Sequence, residues 1–329
     1  MPYTVHMYAV SYILLGGGLT AAIALFGYYG FADVAAAFAA ATWGIGVVAV
    51  FHVVPLVTDT IAWRWLLPPS HRGRLLDLLW MRWVSESVNN LLPAAQVGGY
   101  LVRARLAAQR GVPAADAGAS IVVDLTTSVL TLIAFGTLGA LLLFPRHAQE
   151  SAGLLLGLAI SATLVCAFYV LQRLGLFARV SRRAVRFIGG GSWNGLVGSA
   201  TALDAAIASI YARRGDVLTS CAWAFGAWVL GAGEIWLALY FLGVPVGPVE
   251  AVILESLIQA LRNAAFPVPG ALGVQESGFV LLGTALGIAP ETALALSLVK
   301  RVRELLLGVP GLIVWQIAEG RHWLRKRTL

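Results

Sequence analysis

Six runs of roughly 20 or more mostly apolar residues, at 9–28, 43–67, 117–144, 152–172, 217–242 and 292–316, constrain this chain more than any other feature. Each is long enough to cross the roughly 30 Å hydrocarbon core of a bilayer as a helix. The chain is 59% hydrophobic and 12% charged, against roughly 45–50% and about 25% for a soluble domain. That balance excludes a soluble enzyme and a disordered chain. Both cysteines, Cys166 and Cys221, lie inside apolar runs, which excludes a secreted disulfide scaffold. No polar stretch is long enough for a second domain, so residues 1–329 are expected to form a single, all-α, polytopic transmembrane domain.

The positions of the charges set the expected topology. The net charge is +7, yet residues 1–63 hold no Lys or Arg, whereas seven arginines fall between Arg173 and Arg214. Four more basic residues crowd the tail at Arg321, Arg325, Lys326 and Arg327. Basic clusters beside apolar spans mark cytoplasmic segments facing anionic lipid. The stretch 72–74, the linker at about 173–216 and the tail are therefore expected inside, with 29–42 and 145–151 outside and both termini cytoplasmic. The linker should carry an amphipathic helix near 195–214, read as a surface helix under the headgroups. No basic face alternates with base-stacking residues, so no nucleic-acid partner is expected. The N-terminus lacks the positive region of a signal peptide, and the first span is expected to remain in the mature protein.

Two further apolar segments are broken near their centres. The first, about 76–111, contains Asn89-Asn90-Leu91-Leu92-Pro93-Ala94-Ala95-Gln96-Val97-Gly98-Gly99. The second, about 249–289, contains Phe266-Pro267-Val268-Pro269-Gly270-Ala271-Leu272-Gly273. Each half is too short to span, and proline and glycine interrupt a helix. Such backbone survives at membrane depth only under a cover of protein or beside a wet cavity. Both segments are read as re-entrant helical hairpins.

The two hairpins share an order of features. Glu86 and Asn90 stand four apart on one, and Gln259 and Asn263 stand four apart on the other. Asp124 follows Pro113 by eleven residues, as Arg301 follows Pro290. With the charge bias, this predicts inverted repeats at about 43–144 and 217–316, the plan by which transporters place a site near the midplane. The alternative is duplicated packing without transport.

An ionisable residue at the bilayer centre costs at least about 2.5–3.5 kcal/mol, so those inside apolar segments need a reason. Glu86, Asp124, Glu255, Glu276, Lys300, Arg301 and Glu304 are read as a cavity charge network. Within it Lys300 is set to pair locally with Glu304, and Asp124 with Arg301 or Arg303. Asn90, Gln96, Arg103, Arg262, Gln275 and Arg303 are the candidate headgroup contacts. The excess of positive charge in the last span favours an anionic ligand. Helix starts after the breaks, near Gly99 and Gly273, would add free N–H groups and positive dipole ends. The alternative is a self-neutralising network that only locks the repeats together.

Other chemistry has little support. The five histidines show no metal-ligand spacing, and His52 is read as a packed or interfacial residue. Neither a nucleophile elbow nor a phosphate loop occurs. No metal, cofactor or catalytic residue is expected, and the chain is not expected to be an enzyme.

The run Glu86 to Gly99, continuing to Arg103, Gly111 and Asp124, resembles the signature of the flippase-like membrane domain, also known as the membrane region of lysylphosphatidylglycerol synthases. Pro267 to Glu276 resembles its second signature. The wording Ala95-Gln96-Val97-Gly98-Gly99 is similar to the branch found with hopanoid biosynthesis genes. The resemblance implies a bacterial inner-membrane protein that moves lipids between leaflets. Tyr100 stands where relatives often have an acidic residue. No soluble aminoacyl-transfer domain accompanies residues 1–329, so lipid aminoacylation is not expected of them. The function expected is a translocator for a hopanoid-related or anionic lipid, without ATP hydrolysis of its own. The alternatives are a membrane enzyme acting on a polyprenyl or lipid phosphate, or a scaffold for lipid-synthesis enzymes. Membrane lipids are the expected partners, with a homo-oligomer or lipid-biosynthesis enzymes as further candidates.

Overall fold

The computed structural model describes residues 31–92, 98–145, 148–174, 194–265 and 268–327, together with Thr20, Ile23, Ala24, Gly27 and Tyr28. These residues are nearly all helical (87%), with no strand among them. Most of the expected span 9–28, the break residues Pro93, Gln96 and Pro267, and the linker stretch 175–193 lie outside the described residues.

The helices are α1 (Phe31–Ala41), α2 (Gly44–Phe51), α3 (Val53–Leu66), α4 (Leu75–Leu91), α5 (Gly98–Gln109), α6 (Ala114–Leu143), α7 (Ala148–Arg173), α8 (Asn194–Ala212), α9 (Arg214–Phe241), α10 (Pro248–Ala264), α11 (Val274–Ala285) and α12 (Pro290–Arg327). Three stretches are long and apolar enough to cross a membrane: Gly44–Leu66, Ala114–Leu143 and Arg214–Phe241. The first is jointed at His52, between α2 and α3. Pro55 lies just beyond that joint; it has no N–H to return to the preceding turn, so the helix opens there.

Packing follows a reciprocal scheme. The segment α4 lies against α12, and α10 lies against α6, so the first arm of each broken segment packs on the long helix of the other half. Within each half the two arms pack together, α4 with α5 and α10 with α11, and the long helices α3 and α9 pack side by side. Close approaches explain particular glycines. A Cβ on Gly99 would stand 2.0 Å from the Ser85 carbonyl oxygen, so only glycine lets α5 start against α4. At the second break Gly270 and Gly273 adopt φ of 63° and 78°, which glycine alone takes without strain.

Burial is distributed as expected for a chain in lipid. Leu141, Leu281 and Ile313 face outward, while Arg103, Asp124, Lys300 and Glu304 are enclosed. Near its end α8 docks Ile207, Ile210 and Tyr211 against Leu66, Ala119 and Val123. Tyr211 also donates to Gln172, which in turn donates to Thr126 on α6. The linker helix expected under the headgroups is therefore bound to the bundle along one face. At the same end Arg213 donates to the Trp65, Leu66 and Leu67 carbonyls, capping the C-terminus of α3.

Candidate functional site

A cavity of about 240 Å³ opens between the two halves, room for several water molecules at roughly 30 Å³ each. It lies where α3, α4, α6, α9, α10 and α12 converge. Both four-residue pairs recognised in the sequence, Glu86 with Asn90 and Gln259 with Asn263, contribute to its wall. The twofold order of the sequence thus converges on one space.

His52 stands at the centre of the ionic wall. Its Nδ1 lies 2.6 Å from Glu234 Oε1 and its Nε2 lies 2.8 Å from Glu86 Oε1. Arg303 Nη1 lies 3.1 and 3.2 Å from the same two nitrogens. Further round, Arg262 Nη1 donates to Glu304 Oε1 at 2.8 Å. Lys300 Nζ donates to Glu255 Oε2 at 2.6 Å, and Gln259 donates to the other oxygen of Glu255. On the opposite side Arg82 bridges Asp59 and Asp124.

Several expected pairings are replaced. Asp124 does not reach Arg301 or Arg303; it accepts from Arg103 and Arg82, on the hairpin of its own half. Arg301 turns likewise to Glu276 in its own half and donates to the Gly270 carbonyl. Lys300 pairs with Glu255 rather than Glu304, because α10 presents a carboxylate closer than the next turn of α12 does. The expected helix-start N–H groups are also taken: Gly99 N–H is accepted by Asn89 and Gly273 N–H by Glu276. Side chains cap both starts from within.

Of the candidate headgroup contacts, Asn90, Arg262 and Arg303 line the cavity, as do Glu86, Glu255 and Glu304 from the charge network. Arg103 and Gln275 do not. Arg103 is fully enclosed beside Asp124, with Trp63 under its guanidinium, and Gln275 is buried and donates to Ser297. Gln96 lies outside the described residues. Sequence reasoning missed Asp59, Arg82 and Glu234 and gave His52 too small a role. The signal was available for Glu234 and His52, since each is an ionisable group well inside a long apolar span.

The positive excess expected in the last span is not left free. The surplus of positive charge on α12 is met by carboxylates arriving from α4, α9, α10 and α11. The cavity wall carries five carboxylates, Asp59, Glu86, Glu234, Glu255 and Glu304, against the guanidiniums of Arg82, Arg262 and Arg303. Each carboxylate is met by an opposite charge or by His52: Glu86 and Glu234 by His52 and Arg303, Asp59 by Arg82, Glu304 by Arg262 and Glu255 by Lys300, so the wall is a largely self-neutralising network.

A family model described as the lysylphosphatidylglycerol synthase TM region matches residues 11–311. The chain belongs to this family. The lysylphosphatidylglycerol synthase TM region match covers both broken segments and every ionic residue of the cavity wall, so these features fall within the family domain. It accords with a membrane protein having a lipid-related function. No curated protein and no solved structure matches the chain.

Proposed function

We propose that this protein is a lipid translocator of the bacterial inner membrane. It moves a lipid between leaflets by passing the headgroup through the cavity while the tails remain in the bilayer. The observation that carries the reading is a polar cavity walled by residue pairs of the same spacing from two halves whose helical arms pack reciprocally. Broken helices meeting at a polar space between inverted halves are the plan of alternating-access transporters. In this reading the chain has six spans, two re-entrant hairpins entering from opposite faces, and cytoplasmic termini. It moves lipid without altering it covalently and takes no cofactor.

The wall supports a narrower choice of cargo than the arginines alone suggest. Both signs of charge line the cavity and pair with one another, so a zwitterionic headgroup, whose amine can stand in for an arginine at a carboxylate and whose phosphate can stand in for a carboxylate at Arg82 or Arg262, fits better than a purely anionic one. A hopanoid-related lipid with a charged headgroup stays within this class. The test is a proteoliposome assay with fluorescent lipids, in which a membrane-impermeant reductant reads the outer leaflet. Amine-bearing phospholipids should cross several-fold faster than phosphatidylglycerol. No acceleration over protein-free vesicles for any lipid would overturn the reading, and a preference for phosphatidylglycerol would overturn the choice of cargo.

A further inference from the structure

We propose that Glu86, His52 and Glu234 hold one exchangeable proton at the cavity, and that this proton fastens the first hairpin arm, α4, to the rest of the bundle. A neutral imidazole has one N–H and one lone pair. Both ring nitrogens of His52 lie at hydrogen-bond distance from carboxylate oxygens. With both glutamates ionised, a neutral ring would set lone pair against lone pair at one of these contacts. The arrangement needs one proton more than a neutral histidine and two carboxylates supply.

Ion-pair contacts link Glu86, Glu234, Glu276 and Glu304 with Arg262, Arg301 and Arg303 into one cluster around His52. Four carboxylates face three arginines. A proton on His52 closes the balance, and an uncompensated charge in this setting is costly. The neighbouring groups balance among themselves: Lys300 with Glu255, and Arg82 and Arg103 with Asp59 and Asp124. The groups that face His52 directly are Glu86 from α4, Glu234 from α9 and Arg303 from α12.

The geometry also supplies a path and a second state. The Glu86 side chain is 30% exposed and that of Glu234 is 4% exposed, so the proton reaches the cavity through Glu86. When it leaves, no electrons move; one imidazole nitrogen simply regains its lone pair. Arg303 Nη1 is already within 3.2 Å of either nitrogen and takes that lone pair as an acceptor. Arg303 Nε and Glu234 Oε2, both buried, make no hydrogen bond and face each other only as an ion pair at 3.4 Å, a contact free to tighten or shift. When it is the Nε2 proton that leaves through Glu86, Glu86 loses its His52 donor and keeps only Asn90 and the longer Arg303 contact, so α4 loses its tie to the joint between α2 and α3. Only the link to transport rests on the translocator reading. The proton site does not.

Two measurements on the full chain in phospholipid nanodiscs test this. In the first, nitrogen-15 NMR of labelled histidine, assigned with His52→Gln, should find protons on both ring nitrogens of His52 at about pH 7. A single N–H there would overturn the proton site. In the second, Ser87→Cys is placed in a background with Cys166 and Cys221 replaced by serine. Ser87 is buried and lies against Gly311 of α12. Raising the pH from about 6 to about 9 should increase its maleimide labelling several-fold beyond that of an exposed reference, Leu76→Cys. Glu86→Gln should abolish the excess, and His71→Gln, outside the cluster, should leave it intact. A pH-independent excess, or one that survives Glu86→Gln, would overturn the fastening role. If both measurements succeed while no lipid is translocated, the function reading fails and the proton site stands.

Discussion

Arg103 Nη2 and Asp124 Oδ2 lie 2.5 Å apart in an ion pair whose side chains are 0% and 2% exposed. Its counterpart in the second half is Arg301 with Glu276. In the first half the arginine is on the short arm α5 and the acid on the long helix α6; in the second, the acid is on α11 and the arginine on α12. The same structural task, pinning a hairpin's return arm to the helix that follows it, is performed with the charges exchanged.

Breaking one partner of such a pair leaves a buried charge. Asp124→Asn is expected to cost about 3–5 kcal/mol, and Asp124→Asn with Arg103→Gln to cost less than the single change. Thermal unfolding in detergent checks this; a double variant less stable than either single would count against direct pairing.

Gly99→Ala forces a methyl into the Ser85 carbonyl. A loss of about 1–3 kcal/mol is expected from overpacking, with α5 displaced from α4. Gly153→Ala, which meets no atom within 4 Å, should leave the melting temperature nearly unchanged. Equal behaviour of the two would show that the close approach is relieved cheaply.

Asn90 and Asn263 both line the cavity, each four residues after another lining residue, Glu86 and Gln259. Replacing either with alanine removes hydrogen bonds worth about 1 kcal/mol each, so lipid translocation should fall several-fold with stability nearly kept. An effect from only one of the two would argue that the halves do not share the headgroup.

The inverted topology is checked by labelling single cysteines in spheroplasts and in inverted vesicles. A cysteine at Ala36 should react only from outside and one at Arg321 only from inside. Reaction of both from one face would remove the inverted arrangement.

Helical class, the apolar spans that became Gly44–Leu66, Ala114–Leu143 and Arg214–Phe241, and the two interruptions were legible in the chain, because run length and proline–glycine breaks are local properties. The pairs Glu86 with Asn90 and Gln259 with Asn263 were visible as a repeated spacing, and both reached the cavity. The presence of charge inside apolar helices was legible too, since each such residue violates its surroundings wherever the helix goes.

Which charge meets which was decided by tertiary structure alone. Counterpart positions suggested Asp124 with Arg301, and spacing along one helix suggested Lys300 with Glu304. Packing instead brought Arg103 to Asp124, Glu276 to Arg301 and Glu255 to Lys300. Coulomb attraction falls with distance and favours whichever opposite charge the packed backbones bring nearest, and no sequence spacing encodes a distance between helices. For the same reason the sequence showed a positive surplus on α12, while only the assembled bundle brought Glu86, Glu234, Glu255 and Glu276 from four other helices to neutralise it.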